Sequence, residues 1–259
     1  MKVKVTKVNG NNNDFVLLLN KDIPKNLLLD TVIIKKLCSA NTLVDGLLVL
    51  NYKNGNKASL DYYNNDGSWE TLCVNGIRCA ALFIYKKYNI DSLIVKCGDG
   101  IHKTTITDNM ISVSMDEPKY VTSQIQIGSI KGQYINSGAK HFITEITSDW
   151  PEENQLVSIA KQVRFNTKYF PDGVNVNFFK IIDKDTLDII TYEKGIENIV
   201  ESCASGSYAC AYHISKKTLV EKFKIINSGG NLNIEFNSNY KNNRIIARAI
   251  IDKELIITI

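Results

Sequence analysis

Long hydrophobic runs are missing from this chain of 259 residues. No apolar stretch approaches the ~18 residues that a membrane-crossing helix needs, which argues against a membrane partner. Charge of one sign is not concentrated either. Lys and Arg total 31 against 27 Asp and Glu, for a net charge of +4. The basic residues fall in scattered pairs such as Lys35-Lys36, Lys86-Lys87 and Lys216-Lys217, with no run of five like charges. The clustered basic stripe of a nucleic-acid-binding surface is therefore absent. No two cysteines have C-x-x-C spacing, which argues against a zinc ribbon or a thioredoxin-type centre. The histidines, His102, His141 and His213, form no metal motif, and no metal is expected. No Gly-rich phosphate loop occurs and no Lys stands out as a Schiff-base residue, so no cofactor is expected. The first residues, Met1 to Lys7, alternate like a strand and have no apolar signal core, so the expected location is cytoplasmic. In that reducing compartment the six cysteines would be free thiols.

What the chain does have is an internal repeat. Gly10 and Gly138 each open a turn that runs into an apolar strand, and they stand 128 residues apart. Cys73-Val74-Asn75-Gly76 precedes a helix-like run from Ile77 to Lys87, and Cys203-Ala204-Ser205-Gly206 precedes another from Ser207 to Lys217. These two cysteines are 130 residues apart, as are Gly100 and Gly230. A period this long points to duplication of a whole domain rather than a solenoid.

Apolar residues make up 44% and charged residues 22%, an ordinary balance for a globule, and the length suits two domains of roughly 130 residues. Each half reads as mostly strands with two helices. Residues 58–63, 92–95, 104–107, 111–115, 187–192 and 232–236 are strand-like. Helices are expected over Leu27 to Cys38 and over Pro151 to Val163, the latter capped by Asp149. The expected fold class is α+β, with two pseudo-symmetric halves, each a mostly antiparallel sheet curled around a central helix, and an active site in the cleft between them. The halves are placed at 1–120 and 121–259, with the last ten or so residues returning to the first.

Cys73 and Cys203 each stand just before a helix. Unpaired N–H groups and the macrodipole at such an end favour a thiolate, and the same N–H groups bind carboxylates. Two such ends facing one cleft could hold an α-amino acid by its carboxylate, with one sulfur on each side of the α-carbon. That arrangement suits stereoinversion: a thiolate removes the α-proton and a thiol returns a proton to the opposite face. A free cysteine is more often a small buried hydrophobe, and that reading suits Cys38, Cys79, Cys97 and Cys210.

At these residues the sequence resembles the diaminopimelate epimerase family. The carrying segments are Asn11-Asn12-Asn13-Asp14-Phe15-Val16, Asn64-Asn65-Asp66-Gly67-Ser68, Cys73-Val74-Asn75-Gly76-Ile77-Arg78-Cys79, Gly173-Val174-Asn175-Val176-Asn177, Tyr192-Glu193-Lys194-Gly195, Cys203-Ala204-Ser205-Gly206 and Asn227-Ser228-Gly229-Gly230. The resemblance implies a two-domain, pyridoxal-phosphate-independent enzyme, often a homodimer, with Cys73 and Cys203 catalytic. It implies that the backbones of Val74, Asn75 and Gly76 and of Ala204, Ser205 and Gly206 bind the substrate carboxylate. Asn13, Asn64, His141, Asn175, Glu193 and Lys194 would line the substrate site.

Departures from the family pattern cluster at the far end of the substrate. Ala139 and Lys140 replace Asn-Pro, and Lys194 replaces an Arg whose bidentate fork Lys cannot reproduce. Ile196 to Ser202 is a residue longer than the family segment and looks more like that of histidine racemases. The sequence thus points to a racemase acting on an amino acid other than diaminopimelate, histidine being favoured, with diaminopimelate epimerase as the alternative. Two other classes stay open: a transferase or hydrolase using Cys203 and His141 as nucleophile and base, and a binding protein without activity.

Overall fold

A computed structural model describes residues 1–40 and 43–259. The first stretch holds β1 (Lys2–Gly10), β2 (Asn13–Leu19), α1 (Thr31–Ser39), β3 (Gly46–Tyr52), β4 (Lys57–Asn64) and β5 (Trp69–Glu70). It continues through α2 (Val74–Tyr88), β6 (Ser92–Lys96), β7 (Ile101–Thr107) and β8 (Met110–Met115). Next come β9 (Lys119–Tyr120), β10 (Ile125–Ile127), β11 (Ile130–Asn136), β12 (Lys140–Glu145), α3 (Glu153–Arg164), β13 (Asn175–Asp183) and β14 (Thr186–Glu193). The chain closes with β15 (Asn198–Val200), α4 (Ala204–Thr218), β16 (Lys222–Ile226), β17 (Leu232–Glu235), β18 (Asn243–Ala247) and β19 (Ile250–Thr258). This is a sheet-dominated α+β chain. It divides into two compact units, one of Met1–Ser114 with Ile246–Ile259, the other of Met115–Ile245.

In the first unit β1 pairs antiparallel with both β2 and β19. β2 runs parallel to β3 across α1, β3 is antiparallel to β4, and β4 runs parallel to β6 across α2. Alternation sorts the side chains of these strands between two faces. Val3, Val5, Val16, Leu18, Leu47 and Val49 pack with Ile34, Leu37 and Cys38 of α1. Phe15 and Leu17, on the opposite face of β2, are equally buried. That face carries α2, which touches β1, β2, β3, β4, β6, β7 and β19. A helix surrounded by strands is mostly apolar or small all round, and every residue from Val74 to Ile84 is buried, Asn75 and Arg78 being the polar exceptions.

In the second unit β11 is antiparallel to β12, β12 runs parallel to β13 across α3, β13 is antiparallel to β14, and β14 runs parallel to β16 across α4. Leu156, Ala160 and Val163 of α3 pack with Phe142, Phe170, Val176 and Phe178. Every residue of α4 from Ala204 to Ser215 is buried.

All four helix starts differ from the sequence expectation. α2 and α4 begin at Val74 and Ala204, directly after the cysteines, rather than at Ile77 and Ser207, so the Gly-containing segments form the first helical turn. α1 begins at Thr31 rather than Leu27, because the Asp30 side chain accepts the Ile33 N–H at 2.9 Å and fixes the cap there. α3 begins at Glu153, with Glu152 rather than Asp149 as its cap, the Glu152 N–H donating to Gln155 Oε1 at 3.2 Å. No helix among the described residues is long and apolar enough to cross a membrane.

Candidate active site

In the first unit Cys73 is the N-cap of α2, with extended backbone at φ −135° and ψ 99°. Its carbonyl accepts the Ile77 N–H at 2.9 Å, and its Sγ accepts the Gly76 N–H at 3.3 Å. The sulfur therefore takes the place that a Ser or Asp oxygen fills at an ordinary cap, satisfying an end N–H that has no partner within the helix. Val74, Asn75 and Gly76 form the first turn behind it.

The side chain of Asn75 belongs to a buried polar network. It donates from Nδ2 to Asn13 Oδ1 at 3.3 Å and accepts at Oδ1 from Arg78 Nη2 at 2.8 Å. Arg78 Nη2 also donates to Asn11 Oδ1 at 2.7 Å, and its Nε to the Arg248 carbonyl at 3.4 Å. Asn13 in turn donates to Asp45 Oδ2 at 2.8 Å. Burial lowers Arg78 to about 10, leaving it charged at neutral pH, close enough to the sulfurs of Cys79 and Cys73 to interact with them. Asn64 stands at the end of β4, paired with Gly46. There it accepts from the Tyr62 hydroxyl at 2.7 Å and donates to Ser68 Oγ at 3.0 Å.

In the second unit Cys203 caps α4 with nearly the same backbone, φ −131° and ψ 102°, and is buried. The Cys203 carbonyl accepts the Ser207 N–H at 2.9 Å. The side chains around it form one directed chain. Asn177 Nδ2 donates to Thr191 Oγ1 at 2.6 Å, which turns Asn177 Oδ1 toward His141 Nδ1 at 2.8 Å. The amide oxygen only accepts, so this bonding assigns the ring proton to Nδ1. His141 Nε2 is then an acceptor, and Ser205 Oγ lies 3.0 Å from it. With its proton given to His141, the Ser205 oxygen is left to accept from the Cys203 thiol, 3.6 Å away. Burial lowers His141 to about 4, which keeps the ring neutral. Burial also raises the Cys203 thiol well above its ordinary value, and the Glu193 carboxylate adds to that rise. Cys203 is accordingly held as a thiol.

Asn175 supports backbone. It accepts the Lys194 N–H at 2.8 Å and donates to the Lys140 carbonyl at 3.4 Å, tying β13 to the two flanking segments. Lys140, at the family's Pro position, bonds Asp172 at 3.0 Å on the surface. Gly206 lies so close to Asn177 that a Cβ there would collide with the amide.

Sequence reasoning did not single out Arg78, Asn11, Asn177 or Thr191 as site residues. A signal was available for two of them. Asn75 and Arg78 are three apart on one helix and so share a face. Asn175 and Asn177 are two apart on one strand and share a side. Asn11 and Thr191 carry no such signal, since their partners lie 67 and 14 residues away.

Comparison with known proteins agrees with this architecture. The family model described as diaminopimelate epimerase matches residues 5–121. A diaminopimelate epimerase of Flavobacterium psychrophilum is 31% identical over 248 residues, covering 91% of each chain. One from Aquifex aeolicus is 28% identical over 255 residues, covering 91% of this chain and 90% of that one. The crystal structure of a hydroxyproline epimerase from Agrobacterium vitis, with bound trans-4-hydroxy-L-proline, has the same fold. Its TM-score is 0.78 at 12% identity, over 99% of this chain and 92% of that one. The fold is thus that of an amino-acid epimerase, and the chain belongs to the diaminopimelate epimerase family. It is an isomerase of the epimerase and racemase type.

Proposed function

We propose that this enzyme inverts the α-carbon of an amino acid without a cofactor, Cys73 and Cys203 serving as base and acid on opposite faces of that carbon. The observation that carries this reading is that each cysteine caps a buried helix of 15 residues with the same extended backbone. Each therefore sits among N–H groups suited to a carboxylate. The recurring strand pairing within each unit supports reading the two units as a duplicated pair.

In one direction the Cys73 sulfur removes the α-proton and the Cys203 thiol delivers its own proton to the other face. The cysteines end with their protonation states exchanged, and the opposite enantiomer is processed in reverse. Helix N–H groups hold the carboxylate as negative charge builds on it. Glu193, whose carboxylate lies near enough to raise the Cys203 thiol, is our candidate to receive the substrate ammonium. Neutralising that carboxylate removes one of the two causes that hold the Cys203 proton.

Diaminopimelate is the substrate that the relatives' names favour, and it displaces the histidine expected from sequence. Histidine stays as the second reading on one observation: Lys194 replaces the Arg of the family pattern. The six free thiols suit a reducing, cytoplasmic setting. Proton NMR in deuterated water, with diaminopimelate, L-histidine and a panel of other L-amino acids, tests the reading. Loss of the diaminopimelate α-proton signal without added cofactor is expected. Exchange of histidine alone would restore the second reading, and exchange of none would refute the proposed chemistry.

A further inference from the structure

The hairpin joining β6 to β7 gathers three side chains that the proposed reaction does not use. Cys97, Asp99 and His102 bring a sulfur, a carboxylate oxygen and an imidazole nitrogen within 4.8 Å of one another. The chain has no C-x-x-C pair and no histidine metal motif, so no metal site is expected from its sequence. The tight turn, closed by the Cys97 N–H on the Gly100 carbonyl at 2.8 Å, makes a mixed C-x-D-x-x-H set instead.

His102 fixes its own tautomer. Its Nδ1 lies 2.8 Å from the Ser114 carbonyl oxygen, which only accepts, so Nδ1 carries the proton. In a neutral ring Nε2 then presents a lone pair. That lone pair is aimed at the Asp99 carboxylate, 3.0 and 3.2 Å from its two oxygens. The two side chains are only 5% and 12% exposed. Two acceptors facing each other in so dry a place need a positive charge between them, either a second ring proton or a cation. A proton would satisfy the His102–Asp99 pair alone, whereas a metal ion also employs Cys97.

We propose that Cys97, Asp99 and His102 bind a zinc ion, with water completing a tetrahedron. One sulfur, one nitrogen and one oxygen donor suit that borderline-soft cation. Bonds of about 2.0–2.3 Å at tetrahedral angles set donor atoms roughly 3.3–3.8 Å apart. The donor atoms all lie within 4.8 Å of one another, and the 3.0 Å between His102 Nε2 and Asp99 Oδ1 opens by a few tenths of an ångström to admit the ion. The Asp99 and Asp61 carboxylates near Cys97 attract a cation, which on binding would deprotonate the thiol. Filling the site would also steady the segment that leads to Cys73. The Asp99 N–H donates to the Thr71 carbonyl at 3.2 Å, and a Cβ on Gly98 would lie 2.6 Å from the Trp69 ring.

The test uses Co2+ alone as probe, on the full chain carrying Cys73→Ala and Cys203→Ala so that the proposed catalytic thiols cannot bind it. One equivalent is expected to bind, with a thiolate-to-cobalt charge-transfer band in the near ultraviolet, and Zn2+ is expected to displace it. Adding Cys97→Ser should abolish the band, and His102→Gln should weaken binding at least about tenfold. If Cys97→Ser fails to fold by circular dichroism, Asp99→Asn and His102→Gln carry the same comparison. A missing thiolate band, or one untouched by these substitutions, would overturn the metal site and leave His102 doubly protonated against Asp99. This outcome is independent of whether the enzyme epimerises any amino acid.

Discussion

Ser205 Oγ lies 3.0 Å from His141 Nε2, and both side chains are buried. Through this bond a serine on the first turn of α4 is fixed to a histidine on β12, and the hydroxyl that faces Cys203 has a single direction for its proton. Ser205→Ala would leave the His141 nitrogen buried without its donor. We expect a stability loss of about 1–3 kcal/mol by urea unfolding and a fall in α-proton exchange of about tenfold or more. Unchanged exchange would remove Ser205 from the path of the proton.

His141 also sets a pH dependence. Its folded value near 4 lies below the ordinary 6.5, so between these values the unfolded chain binds a proton that the folded chain does not. Stability should fall as the pH drops from 6.5 to 4, by on the order of 3 kcal/mol in total. His213 is lowered by burial in the same way, and it stays in both proteins when wild type is compared with His141→Gln. The shallower slope expected for His141→Gln is read from urea midpoints across that pH range.

Alkylation should separate the two thiols. Cys203 is buried, raised well above its usual range and bonded toward Ser205, while Cys73 is only half-buried. At pH 7, iodoacetamide followed by peptide mapping should label Cys73 before Cys203. Earlier labelling of Cys203 would contradict the assignment of a resting thiol there.

Gly206 has no room for a side chain, and the neighbour in its way cannot move. Asn177 is fixed by His141 at one end and by Thr191 at the other. Gly206→Ala is expected to cost about 1–3 kcal/mol by overpacking and to lower activity by shifting the His141 partner. Thermal unfolding and the exchange assay together check this.

Arg78 is fully buried and holds Asn11, Asn75 and the Arg248 carbonyl with a planar fork. Arg78→Lys keeps the charge and loses the fork, at an expected cost of about 2–3 kcal/mol. A urea midpoint equal to wild type would show that charge alone suffices at this position.

Much of this was legible in the chain itself. The strand segments, the helices that follow both cysteines and the repeat near 130 residues depend on local periodicity and on small residues at fixed spacing, which a linear sequence displays. Cys73 and Cys203 were legible because a cysteine before a Gly-containing turn and a helix is a local pattern. Helix starts were less so: Asp30 and Glu152 took the caps because their neighbours left the helical path there.

What the sequence by itself determined is the α+β class and the two cysteines at helix starts. Only the tertiary structure decided which polar networks form at the two helix starts: Asn13, Asn75 and Arg78 at α2, and Ser205, His141 and Asn177 at α4. It also decided that Cys97, Asp99 and His102 meet. The physical reason is reach. A cap or an amphipathic stripe is made by residues a few positions apart, whereas His141 and Ser205 are 64 residues apart. Their bond exists only because β12 and α4 are folded against each other in one core, where a buried donor must find an acceptor.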